Sequence, residues 1–214
     1  MVDKSNEYGY VPSSPTQARG SNTGIFEVND VTDLLNAQQW SGTFGNLELI
    51  QTLTPSVHDT LAEFDTIHET TYDTHFLTVC NLGNVNGQAA MWIRFKEGGV
   101  LNSGTNYAYN YELLNQTNNT PYGSNATTYI QTVIRNEIGS NGYGVVWLYG
   151  LGNSSSYSVV TVHSGIGAQG HGGQGGGTFY SKSAVDGISI QPGNNYAFNP
   201  ETVLSLYGVN TLWV

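Results

Sequence analysis

Basic residues are scarce in this chain: six Lys and Arg stand against sixteen Asp and Glu, and charged residues of both signs make up only 10%. A nucleic-acid surface needs Lys and Arg to replace phosphate counterions, so this composition argues against that class of partner. Cysteine is nearly absent too. A single Cys80 rules out an intrachain disulfide, and its place in a β-rich run predicts a buried structural thiol. No run of 18 apolar residues occurs, and residues 1–10 are polar with no apolar signal-peptide segment. The expectation is a soluble protein, not exported by the usual signal and not inserted in a membrane.

With 27 Gly, 14 Tyr and so little charge, the surface must be built mainly from Asn, Gln, Ser, Thr and Tyr. The formal charge of −10 is uneven, since eleven of the sixteen acids lie at or before Asp73. That bias suits either a solvated, self-repelling exterior or a basic partner surface. The length of 214 residues accommodates one all-β domain with an appendage and a sizeable core.

Residues 1–22 carry too few apolar side chains to fold alone and read as a flexible arm, or one that orders on a partner. Ile25 and Phe26 follow, and then Asn29 stands as an N-cap candidate. Asp30 and Asp33 lie near the positive end of the helix dipole, while Val31, Leu34 and Leu35 share one face. A short amphipathic helix is predicted, running to Trp40 and ended by Ser41 and Gly42. Residues 1–42 are thus expected to form an arm and helix, with residues 43–214 as the main domain.

From Gly45 the hydrophobic period changes to two. Leu47, Leu49, Gln51 and Leu53 alternate, and residues 61–67 form a second short run. In residues 89–96 every odd position is apolar, which predicts a strand with one buried face. Residues 75–81 are also rich in β-formers, and the Asn and Gly of the intervening stretch tolerate turn conformations, so the two are expected to pair as an antiparallel hairpin. Tyr107, Tyr109, Tyr111 and Leu113 share a face, and residues 129–135 make another strand. Residues 143–151 are so continuously apolar that burial on both faces is predicted. A strand at 157–163, a Gly-rich loop at 164–177 and strands near 178–181, 185–191 and 202–209 complete the chain. Nine or ten strands with turn signals between them predict an all-β fold, an antiparallel β-sandwich of jelly-roll-like type carrying an N-terminal extended arm and one short helix.

Candidate chemistry is thin. Residues 165–170 spell G-x-G-x-x-G, but a dinucleotide site needs a helix opening behind the motif, and here glycine recurs as far as Gly177. His68 and Glu69 begin a zinc-protease pattern that places Tyr72 where the second His must stand. Asp73 and His75 would share a strand face, with His163 and His171 far along the chain; scattered histidines, not a metal centre, are expected. No G-x-S-x-G elbow occurs. Paired carboxylates are defined by spatial separation, yet beyond Asp73 the only acids are Glu97, Glu112, Glu137, Asp186 and Glu201. The expectation is no catalytic residue, no cofactor and no metal. The asparagines at 115, 118, 125 and 153 open glycosylation-type tripeptides and read as Asn/Thr-rich loops. The Tyr107, Tyr109 and Tyr111 face is open to three readings: a sugar platform, a subunit contact, or cross-strand packing.

Residues 46–50, Tyr72 and Asp73 opening a strand, and Trp92, Ile93, Arg94 and Phe95 followed by Gly98 and Gly99 stand in an order that resembles a β-sandwich module of tailed-bacteriophage structural proteins. Residues 103–109, 185–188 and 192–195 and the closing Leu204, Ser205, Leu206, Tyr207, Gly208 and Val209 continue it. Residues 24–40 are similar to an adaptor peptide that precedes such modules, and residues 196–200 intervene where the module has a shorter turn. The resemblance implies a non-enzymatic virion protein, assembled in the host cytoplasm, whose partners are other tail or capsid proteins. It implies a homotrimer serving as a tail-fibre or appendage subunit, or as a capsid decoration protein on the head. Under the first role Ile25, Phe26, Val31, Leu34, Leu35 and Trp40 would anchor the chain. A carbohydrate-binding module that meets a host-surface glycan through Tyr107, Tyr109 and Tyr111, together with the Gly-rich loop, is the alternative.

Overall fold

The computed structural model describes residues 17–18, 21–22, 47–83, 87–114, 119–137, 140–166 and 171–209. The chain divides into two units, Met1–Gly45 and Asn46–Val214. In the first, two short strands, β1 (Gln17–Ala18) and β2 (Ser21–Asn22), pair antiparallel. The predicted helix and Ile25, Phe26, Val31, Leu34, Leu35 and Trp40 lie outside the described residues.

The second unit is an all-β antiparallel sandwich. Its strands are β3 (Leu47–Leu53), β4 (Ala62–Phe64), β5 (Thr74–Leu82), β6 (Ala89–Glu97), β7 (Val100–Leu101), β8 (Tyr107–Leu114), β9 (Asn119–Thr127), β10 (Ile130–Asn136), β11 (Gly142–Tyr149), β12 (Ser158–Ile166), β13 (His171–Phe179), β14 (Gly187–Pro192) and β15 (Val203–Val209). One sheet has the order β3-β15-β5-β11-β12-β13-β8-β9; the other runs β10-β6-β14-β4, with β7 on β6. Among the described residues the single helical element is the 3-10 turn Gly193–Asn195.

Period-two patterning explains the core. Met91, Ile93 and Phe95 of β6 and Ile188 and Ile190 of β14 face Leu77, Val79, Val146, Leu148, Val160, Val162, Leu204 and Leu206 of the large sheet. Each such side chain, fully buried, contributes about 1.5–3 kcal/mol. Tyr107, wholly buried, ties the layers together: its hydroxyl accepts from the Phe95 N–H at 3.1 Å and donates to the Asn102 carbonyl at 3.1 Å. Residues 196–200 add Phe198 to the same core, with no exposed surface.

The hairpin expected between β5 and β6 does not form. β5 pairs with β11 and β15 of the large sheet, whereas β6 pairs with β7, β10 and β14 of the small one. Alternation marks the face a strand buries but not its partner, and both strands bury theirs in the same core from opposite sides. The six-residue connection, reaching about 20 Å when extended, easily spans sheets about 10 Å apart. Its first residue is held by the last turn: Gly83 accepts from the Asn199 N–H at 3.0 Å, and a Cβ there would lie 2.9 Å from that of Asn199.

Two burial expectations change as well. Cys80 is exposed, because His75, Leu77 and Val79 take the inward positions of β5 and leave residue 80 outward. Strand β11 is buried on one face only: Val146 and Leu148 point inward, while Tyr143 and Tyr149 are 43% and 38% exposed. In β3 a register shift against β15 at Leu206 and Tyr207 leaves Leu47 and Leu49 in solvent and turns Ile50 and Leu53 toward the core.

Candidate functional site

Strand β13 reads HGGQGGGTF and is hydrogen-bonded along its length to β12 on one side and β8 on the other. The Gly-rich stretch predicted as a loop is therefore largely sheet, continuing into the end of β12. Glycine shows no side-chain period, but it permits close approach. A Cβ on Gly173 would lie 2.2 Å from Val133 Cγ2, and one on Gly177 would lie 2.6 Å from Ile130 Cγ2. Strand β10 of the small sheet thus packs almost directly on the β13 backbone.

The opposite face of β13 presents Gly172, Gln174, Gly176 and Thr178. Between the outward side chains of β12 and β8, the stretch from Gln174 to Thr178 floors a trough made of two adjoining hollows of about 640 and 290 Å³ that share Asn110. Its walls are Val159, Thr161 and His163 from β12 and Ala108, Asn110 and Glu112 from β8, with Pro121 of the edge strand β9 beyond. Tyr180, 49% exposed, lines one end and meets Tyr157 edge-on at 5.5 Å, and the Lys182 ammonium stands 5.6 Å over the Tyr157 ring. The side chains of Asn110, Glu112, His163 and Gln174 make no hydrogen bond among the described residues. Two amides, a carboxylate and an imidazole are thus free to donate to or accept from a ligand.

The tyrosines singled out from the sequence face the other way. Tyr107 and Tyr111 are buried and Tyr109 is half-buried, so their rings do not form an exposed platform. They pack across strands and sheets. Trp92 stacks on Tyr129 at 3.9 Å, Tyr129 on Tyr109 at 6.4 Å, Tyr109 on Tyr111 at 6.1 Å and Tyr111 on Tyr122 at 5.1 Å, all within 24° of parallel. The row turns the ring faces toward one another. Gln131 donates to the Tyr111 hydroxyl at 2.7 Å, closing the row against β10. Burial pushes the Tyr107 hydroxyl up to about 12, and burial also raises those of Tyr109 and Tyr111.

The histidines are dispersed. His75 is buried, its Nε2 bonded to the Ile67 carbonyl at 2.7 Å, and burial holds its pKa below the usual imidazole value despite that bond. Among the described residues no three His, Cys, Asp or Glu side chains converge as metal ligands. Asn110 and Gln174 escaped the sequence reading and Glu112 entered it only as one of the scattered acids, although Asn110 and Glu112 alternate with the Tyr face and so had to point opposite to it. No protein-family model, no curated protein and no solved structure matches this chain.

Proposed function

We propose that the chain is a non-enzymatic structural subunit of a tailed-phage particle, a tail-fibre or appendage protein anchored through its N-terminal segment with the sandwich turned outward. The observation that carries this reading is where the resembling segments fall. Residues 47–50 open β3, Tyr72 and Asp73 lead into β5, residues 92–95 lie in β6, residues 103–109 enter β8 and residues 204–209 belong to β15. Motifs scattered over some 160 positions of sequence come together as the framework of one sandwich. The anchoring role of residues 1–42, and association into trimers on other tail proteins, follow from the same resemblance.

Immunogold labelling of purified particles with an antibody to the full chain tests the reading. Label at the tail or its base is the expected result. Label over the head would replace the appendage with a decoration protein, and unlabelled particles would overturn the virion assignment. Light scattering of the full chain is expected to give a trimer mass.

A further inference from the structure

We infer that the trough over β13 is a binding site for a neutral oligosaccharide. This goes beyond the particle assignment and does not depend on it, because it rests on the shape and chemistry of one sheet face.

The shape comes first. A sheet face with ordinary side chains is filled by them, whereas here part of the floor is backbone at Gly176, where an added Cβ would come within 2.5 Å of the Val160 carbonyl. Packing accounts for the inward glycines: added Cβ atoms would strike β10 at Gly173 and Gly177 and β8 at Gly175. Gly172, further along the outer face and outside the two hollows, is less crowded: within 4 Å an added Cβ would meet only the Ser164 carbonyl, at 3.2 Å. From Thr178 to Gln174 the floor extends about 13 Å, at 3.3 Å per residue, which suits an extended ligand laid along the strand.

The chemistry selects among ligands. Asn110 and Gln174 each offer both donors and acceptors, as a ligand rich in hydroxyls requires, and Glu112 accepts from the same hydroxyls. None of these side chains is committed to another group among the described residues, so binding displaces no internal bond. Glu112 is the one formally charged residue lining either hollow, and on a chain of net charge −10 it disfavours anionic ligands. At the open end Tyr180 presents an aromatic ring, on which the C–H face of a sugar can stack while its hydroxyls turn to the amides.

The test begins with the full chain on an array carrying neutral and acidic glycans, followed by calorimetry with a soluble oligosaccharide of each class. The expected result is saturable binding of a neutral glycan, weakened about tenfold or more by each of Asn110→Ala, Gln174→Ala and Tyr180→Ala. Tyr143→Ala, on the same sheet face outside the trough, is expected to leave binding unchanged. Gln174→Glu keeps the side-chain size and adds charge beside Glu112; it is expected to weaken binding to the same degree and guards against loss of fold in a truncated variant. Binding confined to acidic glycans, binding indifferent to all four trough variants, or no binding to any neutral glycan would overturn the inference, as would occupation of the trough by a peptide instead.

Discussion

On the outer face of the small sheet the long polar side chains are engaged with neighbouring groups; on that of the large sheet those around β13 have no hydrogen-bond partner among the described residues. In the small sheet Arg94 donates to the Thr128 carbonyl at 3.0 Å and to Gln191 at 3.4 Å, with its guanidinium 5.9 Å from the Tyr129 ring centroid. Lys96, only 10% exposed, pairs with Glu63 at 2.8 Å and Asp65 at 2.6 Å. Burial works to lower the Lys96 pKa, but these two carboxylates outweigh it and hold the group above its usual value. Across the molecule, Asn110, Glu112, His163 and Gln174 stand around a glycine floor without partners among the described residues. Both surfaces belong to strands of one sandwich with the same alternation. One closes upon itself and contributes to stability, and the other leaves its hydrogen-bonding groups for something else.

Substitutions should separate the two faces of β13 most sharply. Gly175→Ala would set a Cβ 2.3 Å from that of Tyr111 and 2.5 Å from the Asn110 carbonyl, and a loss of about 3 kcal/mol is expected from such overpacking. Gly172→Ala, whose Cβ meets a single carbonyl at 3.2 Å, is expected to change stability by less than about 1 kcal/mol. Urea midpoints at unchanged slope give both numbers. Equal effects would erase the distinction between these two positions.

Next in size is Tyr107→Phe, which strands the buried Phe95 N–H and is expected to cost about 1–3 kcal/mol in the same titration. Lys96→Met should cost about 1 kcal/mol, a modest figure because Asp65 is 72% exposed and its share is screened.

His75 adds a pH dependence. Its folded pKa is depressed, so above about 6.5 both states are neutral and stability is flat. As pH falls below that value the unfolded chain takes up the proton first, and stability declines until the folded pKa is passed. Urea midpoints between pH 7 and 5 should show this decline, and His75→Phe should remove its share. The smallest effect is expected at Asn110→Ala and Gln174→Ala, each within about 0.5 kcal/mol of the parent because neither side chain holds the fold.

Much of the sandwich can be read directly from residues whose side chains alternate. The odd positions of residues 89–96 identify the inward face of β6, and His75, Leu77 and Val79 already imply that Cys80 points out. Pairing is another matter. It depends on contacts far apart in sequence, so β5 and β6 look like neighbours while lying in different sheets. Strand β13 is invisible because glycine carries no periodic signal, and β9 is concealed by Pro121 and Gly123, which an edge strand tolerates. The Tyr107 face is legible as a face; that it looks inward depends on β10 crossing beneath it. For the same reason the trough could not be seen beforehand: its floor is glycine, and its walls come from strands more than forty residues apart.

The most direct measurement is a nuclear magnetic resonance titration of the isotope-labelled full chain with the neutral oligosaccharide bound most tightly on the array. Amide shifts concentrated at residues 108–112, 159–163 and 172–180, with Trp92, Arg94 and Gln191 unmoved, are the expected result. Shifts centred on the small sheet, or none at all at saturating sugar, would contradict the assignment of the large sheet's open face as the working surface.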